Sequence, residues 1–237
     1  MADFRGKRAL VTGGSSGIGR AIARALSSSG AKVAIAARTA AKLESTAAEM
    51  GAVPIVADLS TAEAASTLAA NAVDALAGID ILVMCSGVYI GGSIADLPSG
   101  AFSEILSNNL TGPAALATAL MPHLIKTRGD LLVINSSSVR ATNIQGRAYF
   151  TAGQHALMAF TNGLRDEFND SGVRVTSIFP GVTATPRQER LHEIHGKVYR
   201  GDRLLQPEDV ASIALAALSM PHTAEVTDIY IRPRHRT

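Results

Sequence analysis

The stretch TGGSSGIG, residues 12–19, decides how this chain folds. It follows KRALV, a short apolar run that reads as a buried strand. It precedes RAIARALSSSG, a helical stretch closed by Gly30. A strand passing straight into a glycine turn and then a helix needs backbone that turns tightly. Such a turn brings its N–H groups, and the positive end of the helix, up to a phosphate. Gly13, Gly17 and Gly19, with Ser15, Ser16 and Ile18 between them, are therefore candidate ligands of a dinucleotide.

Outward from this turn the pattern repeats. KVAIAAR, VPIVADLS, DILVMCSG, DLLVINSSS, VRVTSIFPG and EVTDIYI read as further strands. Between them lie helical stretches, including an Ala-rich one at 62–77 and a long one at 149–169. Continuous apolar strands alternating with helices predict an α/β fold: a Rossmann-like, doubly wound parallel sheet in three α/β/α layers. All 237 residues fit one dinucleotide-binding domain. The irregular segment at about 183–206 follows a strand end, where such sheets bind ligands, and is a candidate substrate lid.

Composition narrows the function. A net charge of +2 does not suit a nucleic-acid surface, and the basic end IRPRHRT is short enough to be a solvated tail. The one cysteine, Cys85, rules out an intrachain disulfide framework, which suits a reducing cytoplasm. No apolar run has the length of a membrane span or the flanks of a signal peptide. His192 and His195 stand three apart, but no carboxylate or cysteine set completes a metal site.

The spacing Thr-Gly-xxx-Gly-x-Gly, with the motifs below in order over nearly the whole chain, resembles the compact short-chain dehydrogenases/reductases. The resemblance implies hydride transfer between NADP(H) or NAD(H) and a carbonyl or alcohol of a small molecule. It also implies a homo-oligomer, a dimer or tetramer. At the end of the second strand NAD would call for an acid near Ala37, and the chain has Arg38 instead. A guanidinium there pairs with a 2′-phosphate, so NADP(H) is expected over NAD(H). Asp58 and Leu59 stand where the family contacts adenine, and Asp58 or Ser60 also suits a helix N-cap. MCSG, with Gly87 kept, replaces the family's Asn-Asn-Ala-Gly, which makes Cys85 a core residue. Pro180, Gly181, Thr183 and Thr185 match the segment that holds the nicotinamide.

The resemblance assigns Asn109, Ser136 and Tyr149 to catalysis, with Ser138 as the second choice of serine. The family places a lysine four residues after its tyrosine, and Gly153 stands there. His155 points to another side of the helix, while Arg140 and Arg147 precede it in a loop. Tyrosine ionises near 10, and a cation ~4 Å away lowers that by a few units at most. Without the cation the acid role needed for reduction survives better than the base role needed for oxidation. Slow, reduction-favouring chemistry is one expectation. Non-redox chemistry of isomerase or cyclase type, or cofactor binding without catalysis, are the alternatives.

Overall fold

A computed structural model describes residues 3–235, so the last two residues of the predicted tail lie outside the described range. The strands are β1 (Arg8–Thr12), β2 (Lys32–Ala37), β3 (Val53–Val56), β4 (Ile81–Met84), β5 (Asp130–Ile134), β6 (Arg174–Pro180) and β7 (Asp228–Ile231). The helices are α1 (Gly17–Ser28), α2 (Ala40–Met50), α3 (Ala62–Leu76), α4 (Ala101–Leu106), α5 (Gly112–Thr127), α6 (Ala148–Phe168), α7 (Pro186–Ile194) and α8 (Pro207–Leu218).

All strand pairs are parallel, in the order β3-β2-β1-β4-β5-β6-β7. The chain winds outward from β1 through β2 to β3, then crosses back to β4. A crevice therefore opens at the carboxyl ends of β1 and β4. Helices α3, α5 and α6 cover one face through Leu68, Leu76, Leu120, Leu124 and Leu157. Helices α1, α2 and α8 cover the other through Ile22, Leu26, Leu43 and Val210. Coverage on both faces explains why β4 and β6 are buried at every position, and why β4 reads as an unbroken apolar run.

Two ion pairs tie strand starts, at the end of the sheet away from the crevice. Arg8 Nε donates to Asp80 at 2.7 Å, and Arg174 Nε donates to Asp130 at 2.7 Å. Burial raises the Asp130 carboxyl above its ordinary value even beside Arg174.

Some local details depart from the sequence reading. Helix α3 is capped by Thr61, whose Oγ1 accepts from Ala64 N–H at 3.2 Å, and not by Asp58 or Ser60. The segment 183–206 contains α7, and its ends are pinned together. Ala184 N–H donates to Leu205 O at 2.7 Å, and Leu205 N–H donates to Val182 O at 3.2 Å.

Candidate active site

The crevice is a cavity of about 890 Å³. Gly13 shows why its floor is glycine. Its φ is +66°, and a Cβ there would stand 2.9 Å from Cys85 O. The backbones of the β1 and β4 turns thus meet where a side chain would keep them apart. Thr12 locks that contact. Its hydroxyl accepts from Cys85 N–H at 3.0 Å and Ser86 N–H at 3.2 Å, and its donor geometry faces Val83 O at 3.4 Å. The MCSG turn, which has no asparagine, is therefore braced from β1. Enclosure pushes the Cys85 thiol up to about 12, so it is no nucleophile.

Ser16 precedes α1 in an extended conformation, and its side chain caps nothing. The first turn of α1 carries no acid, leaving free N–H groups and a positive helix end toward the cavity. Ser15, Gly17, Ile18 and Gly19 line the same wall. Arg38 lines the far end and is joined by Lys42, one turn on, which the sequence reading missed. Neither has a carboxylate partner among the described residues. Asp58 Oδ1 accepts from Ser60 N–H at 3.2 Å, and Leu59 is buried beside it. A backbone cradle, a positive helix end and an unpaired cation pair suit a phosphorylated dinucleotide.

On the opposite side Asn109 sits in a π-helical turn, Ser107–Thr111, between α4 and α5. Its amide pairs with Val88 in both directions, accepting from N–H at 2.7 Å and donating to O at 2.9 Å. Ser136 caps a short 3-10 turn, its Oγ accepting from Ser138 N–H at 3.1 Å. Ser138 is 6% exposed, and its Oγ has no partner. Both serines line the cavity, as do Gly87, Pro180, Gly181, Thr183 and Thr185.

Tyr149 does not line the cavity with them; Phe150 does. The Tyr149 ring stacks on Phe102 of α4 at 4.9 Å, while the Phe150 ring meets Tyr89 edge-on at 5.0 Å. One residue on a helix is a rotation of ~100°. Phe150, Gln154 and Leu157 form the cavity-facing stripe, and Tyr149 and Gly153 form the stripe toward α4. Gly153 has its own cause. A Cβ there would fall 2.9 Å from Ile105 Cγ2, so glycine lets α4 lie close against α6.

The residue on α6 that the sequence reading missed is Gln154. It is buried, one turn after Phe150. Its Nε2 donates to Asn135 Oδ1 at 3.1 Å, and Asn109 Nδ2 donates to its Oε1 at 3.5 Å. Asn135 Nδ2 returns a bond to Gln154 O at 3.2 Å. Three neutral amides thus occupy the side of the cavity where the resemblance called for a lysine.

The remaining candidates divide, and His195 lines the cavity. Arg140 lies over the Tyr230 ring at 3.3 Å, His155 is exposed, and Arg147 lines the cavity near α6. His192 Nδ1 lies 2.9 Å from Gln188 O on its own helix. Among the described residues no three His, Cys, Asp or Glu side chains could hold a metal ion. None of the described helices is long and apolar enough to cross a membrane.

The chain matches the short chain dehydrogenase family over residues 7–195. It is 31% identical over 237 residues to an uncharacterized oxidoreductase of Staphylococcus haemolyticus, covering 98% of this chain and 100% of that one. An alcohol dehydrogenase from Thermococcus sibiricus, complexed with 5-hydroxy-NADP, superposes with TM-score 0.86 at 26% identity, covering 98% of each chain. A short chain dehydrogenase from Burkholderia cenocepacia in complex with NADP gives TM-score 0.82 at 28% identity, covering 96% of this chain and 97% of that one. The fold and the crevice are those of a dinucleotide-binding oxidoreductase. The chain belongs to the short-chain dehydrogenase family.

Proposed function

We propose that the chain is an NADP(H)-dependent oxidoreductase acting at a carbonyl or alcohol of a small organic molecule, with Phe150 and no tyrosine on the face of α6 that lines the cleft. The observation that carries the cofactor choice is Arg38, unpaired at the end of β2 where a ribose-binding acid would stand, with Lys42 beside it. The NADP-type ligands named for the Thermococcus and Burkholderia structures support the same choice.

When bound, the nicotinamide supplies or takes up the hydride. The chain's own part is to hold the substrate oxygen and to manage a proton. Ser86 and Ser138 both line the cavity with unpartnered hydroxyls, and Ser138 lies in the turn that the resemblance assigns to catalysis, so it donates to an oxygen that gains negative charge. Ser136 and Asn135 hold the backbone of that turn, with Asn135 Oδ1 accepting from Ser136 N–H at 2.7 Å. Phe150 contributes shape and excludes water but gives no proton. Gln154 adds no charge. The reading is therefore slow reduction with the proton drawn from solvent, and oxidation that rises only at alkaline pH. The segment 183–206 acts as the lid, and the Phe102–Tyr149 face on α4 and α6 is the surface for a homo-oligomer.

A second reading is favoured by Phe150 and Gln154 themselves, since their place on α6 carries neither acid nor cation. It is a cofactor-binding protein without redox turnover. The test is NADPH binding by fluorescence, then NADPH oxidation over a panel of carbonyl compounds. Turnover that Ser138→Ala lowers at least tenfold supports the first reading. Tight binding with no turnover on any compound selects the second. No NADPH binding sinks both.

A further inference from the structure

We propose that Arg187 and the first turn of α7 form a second phosphate-binding pole, which clasps the diphosphate of the dinucleotide against the glycine turn. This rests on the cofactor reading above.

Thr185 caps α7, its Oγ1 accepting from Gln188 N–H at 3.3 Å, with Pro186 at the first helical position. The same Thr185 lies on the glycine turn, since a Cβ added to Gly17 would stand 3.0 Å from Thr185 Cγ2. The amino ends of α1 and α7 therefore meet at one place, and both direct partial positive charge there. Arg187 then reaches across the crevice to the β4 turn, where its Nη2 donates to Gly87 O at 2.5 Å. That bond uses one of the five N–H donors of a guanidinium.

A carbonyl accepts a hydrogen bond but does not neutralise a cation. No carboxylate lies within ion-pair distance of Arg187 among the described residues. The ionisable groups it senses are the neutral Cys85 thiol and the like charge of Arg38. Arg187 is exposed at the rim of the crevice, and partial loss of solvent there, with Arg38 adding to it, holds its pKa below the ordinary arginine value. An anion lying between the α1 amino end and Gly87 satisfies the free donors and relieves the repulsion. The diphosphate of a dinucleotide is such an anion, and the 2′-phosphate is already served by Arg38 and Lys42. Arg187 sits on the lid, so this contact also ties lid closure to occupancy of the cleft.

The test compares three ligands by titration calorimetry on the full chain: NADPH, adenosine 2′,5′-bisphosphate and adenosine 2′-monophosphate. The third lacks the 5′-phosphate. Arg187→Gln should weaken the first two by about 10- to 100-fold and the third by less than about threefold. Arg187→Lys should recover part of the loss. Hydrogen exchange of residues 186–206 should slow on NADPH binding in the wild type, and slow less in Arg187→Gln. If Arg187→Gln leaves all three affinities alone, or lowers all three equally, the second pole is wrong while the cofactor reading stands. If the wild type binds none of the three, the cofactor reading falls first and takes this one with it.

Discussion

Gly153→Ala and Gly163→Ala put the same methyl group on the same helix, and the surroundings give them different outcomes. Replacing an exposed helical glycine by alanine gains about 1 kcal/mol. At Gly163 the added Cβ meets nothing within 4 Å, so that gain is kept. At Gly153 the Cβ falls 2.9 Å from Ile105 Cγ2, well inside the ~3.5–4.0 Å optimum for carbon contacts. Ile105 is fully buried and has no open space to enter. Overpacking of this kind costs about 1–3 kcal/mol. Gly153→Ala should therefore range from neutral to about 2 kcal/mol destabilising, while Gly163→Ala stabilises by about 1 kcal/mol. Urea unfolding followed by circular dichroism reads both, with the m-value unchanged. Ile105→Leu removes the branch methyl and should rescue Gly153→Ala, with a coupling above about 0.5 kcal/mol in a double-mutant cycle. Equal stabilisation by the two alanines would refute the packing argument, and with it the account of how α6 is oriented.

Four further outcomes are expected. Phe150→Tyr combined with Gln154→Lys should raise NADPH-dependent carbonyl reduction by about 100-fold, the scale of one positioned general acid, and Gly153→Lys should not; steady-state kinetics on the purified variants separates them. Arg38→Ala should weaken NADPH about 10- to 100-fold while leaving NADH unchanged, read by fluorescence titration. Burial alone would raise the Asp80 carboxyl, but its hydrogen bonds from Arg8 outweigh that and hold it below the ordinary carboxylate value. The stability it contributes is thus present above about pH 4 and is lost as pH falls through the lower folded value; Asp80→Asn should flatten that acid limb in thermal melts from pH 2 to about 6. Cys85, with its thiol at about 12, should resist iodoacetamide at pH 8 in the native protein and react once the chain is unfolded.

The glycine turn and Arg38 were legible because the backbone requirement and the charge each depend on one local run of sequence. The alternation of apolar strands and helices gave the doubly wound sheet for the same reason. The face of α6 was harder to read. The resemblance assigns the catalytic tyrosine to Tyr149, yet the spacing Phe150, Gln154, Leu157, Thr161, Leu164 is a 4-3-4-3 stripe of the kind that faces a core. Gln154 was its signal: unlike Thr161, which bonds back to its own helix, an amide within a stripe bound for burial needs partners elsewhere. Those partners, Asn109 and Asn135, are 45 and 19 residues away in the chain. No local pattern announces them. Arg187 was hidden for a related reason, since its contact with Gly87 spans 100 residues. The closeness of α4 to Gly153 is likewise a tertiary fact.

The Thr12 hydroxyl holds the β4 turn through the N–H groups of Cys85 and Ser86 and touches neither side chain. Every residue except proline offers the same N–H. Positions 85 and 86 are thereby released to drift, and the burden of keeping the turn passes to position 12. Thr12→Val keeps the shape and removes the acceptor, so it marks the site's hidden dependence on a single oxygen atom. Substitutions at positions 85 and 86 should therefore leave the turn in place, and loss of the Thr12 oxygen should not.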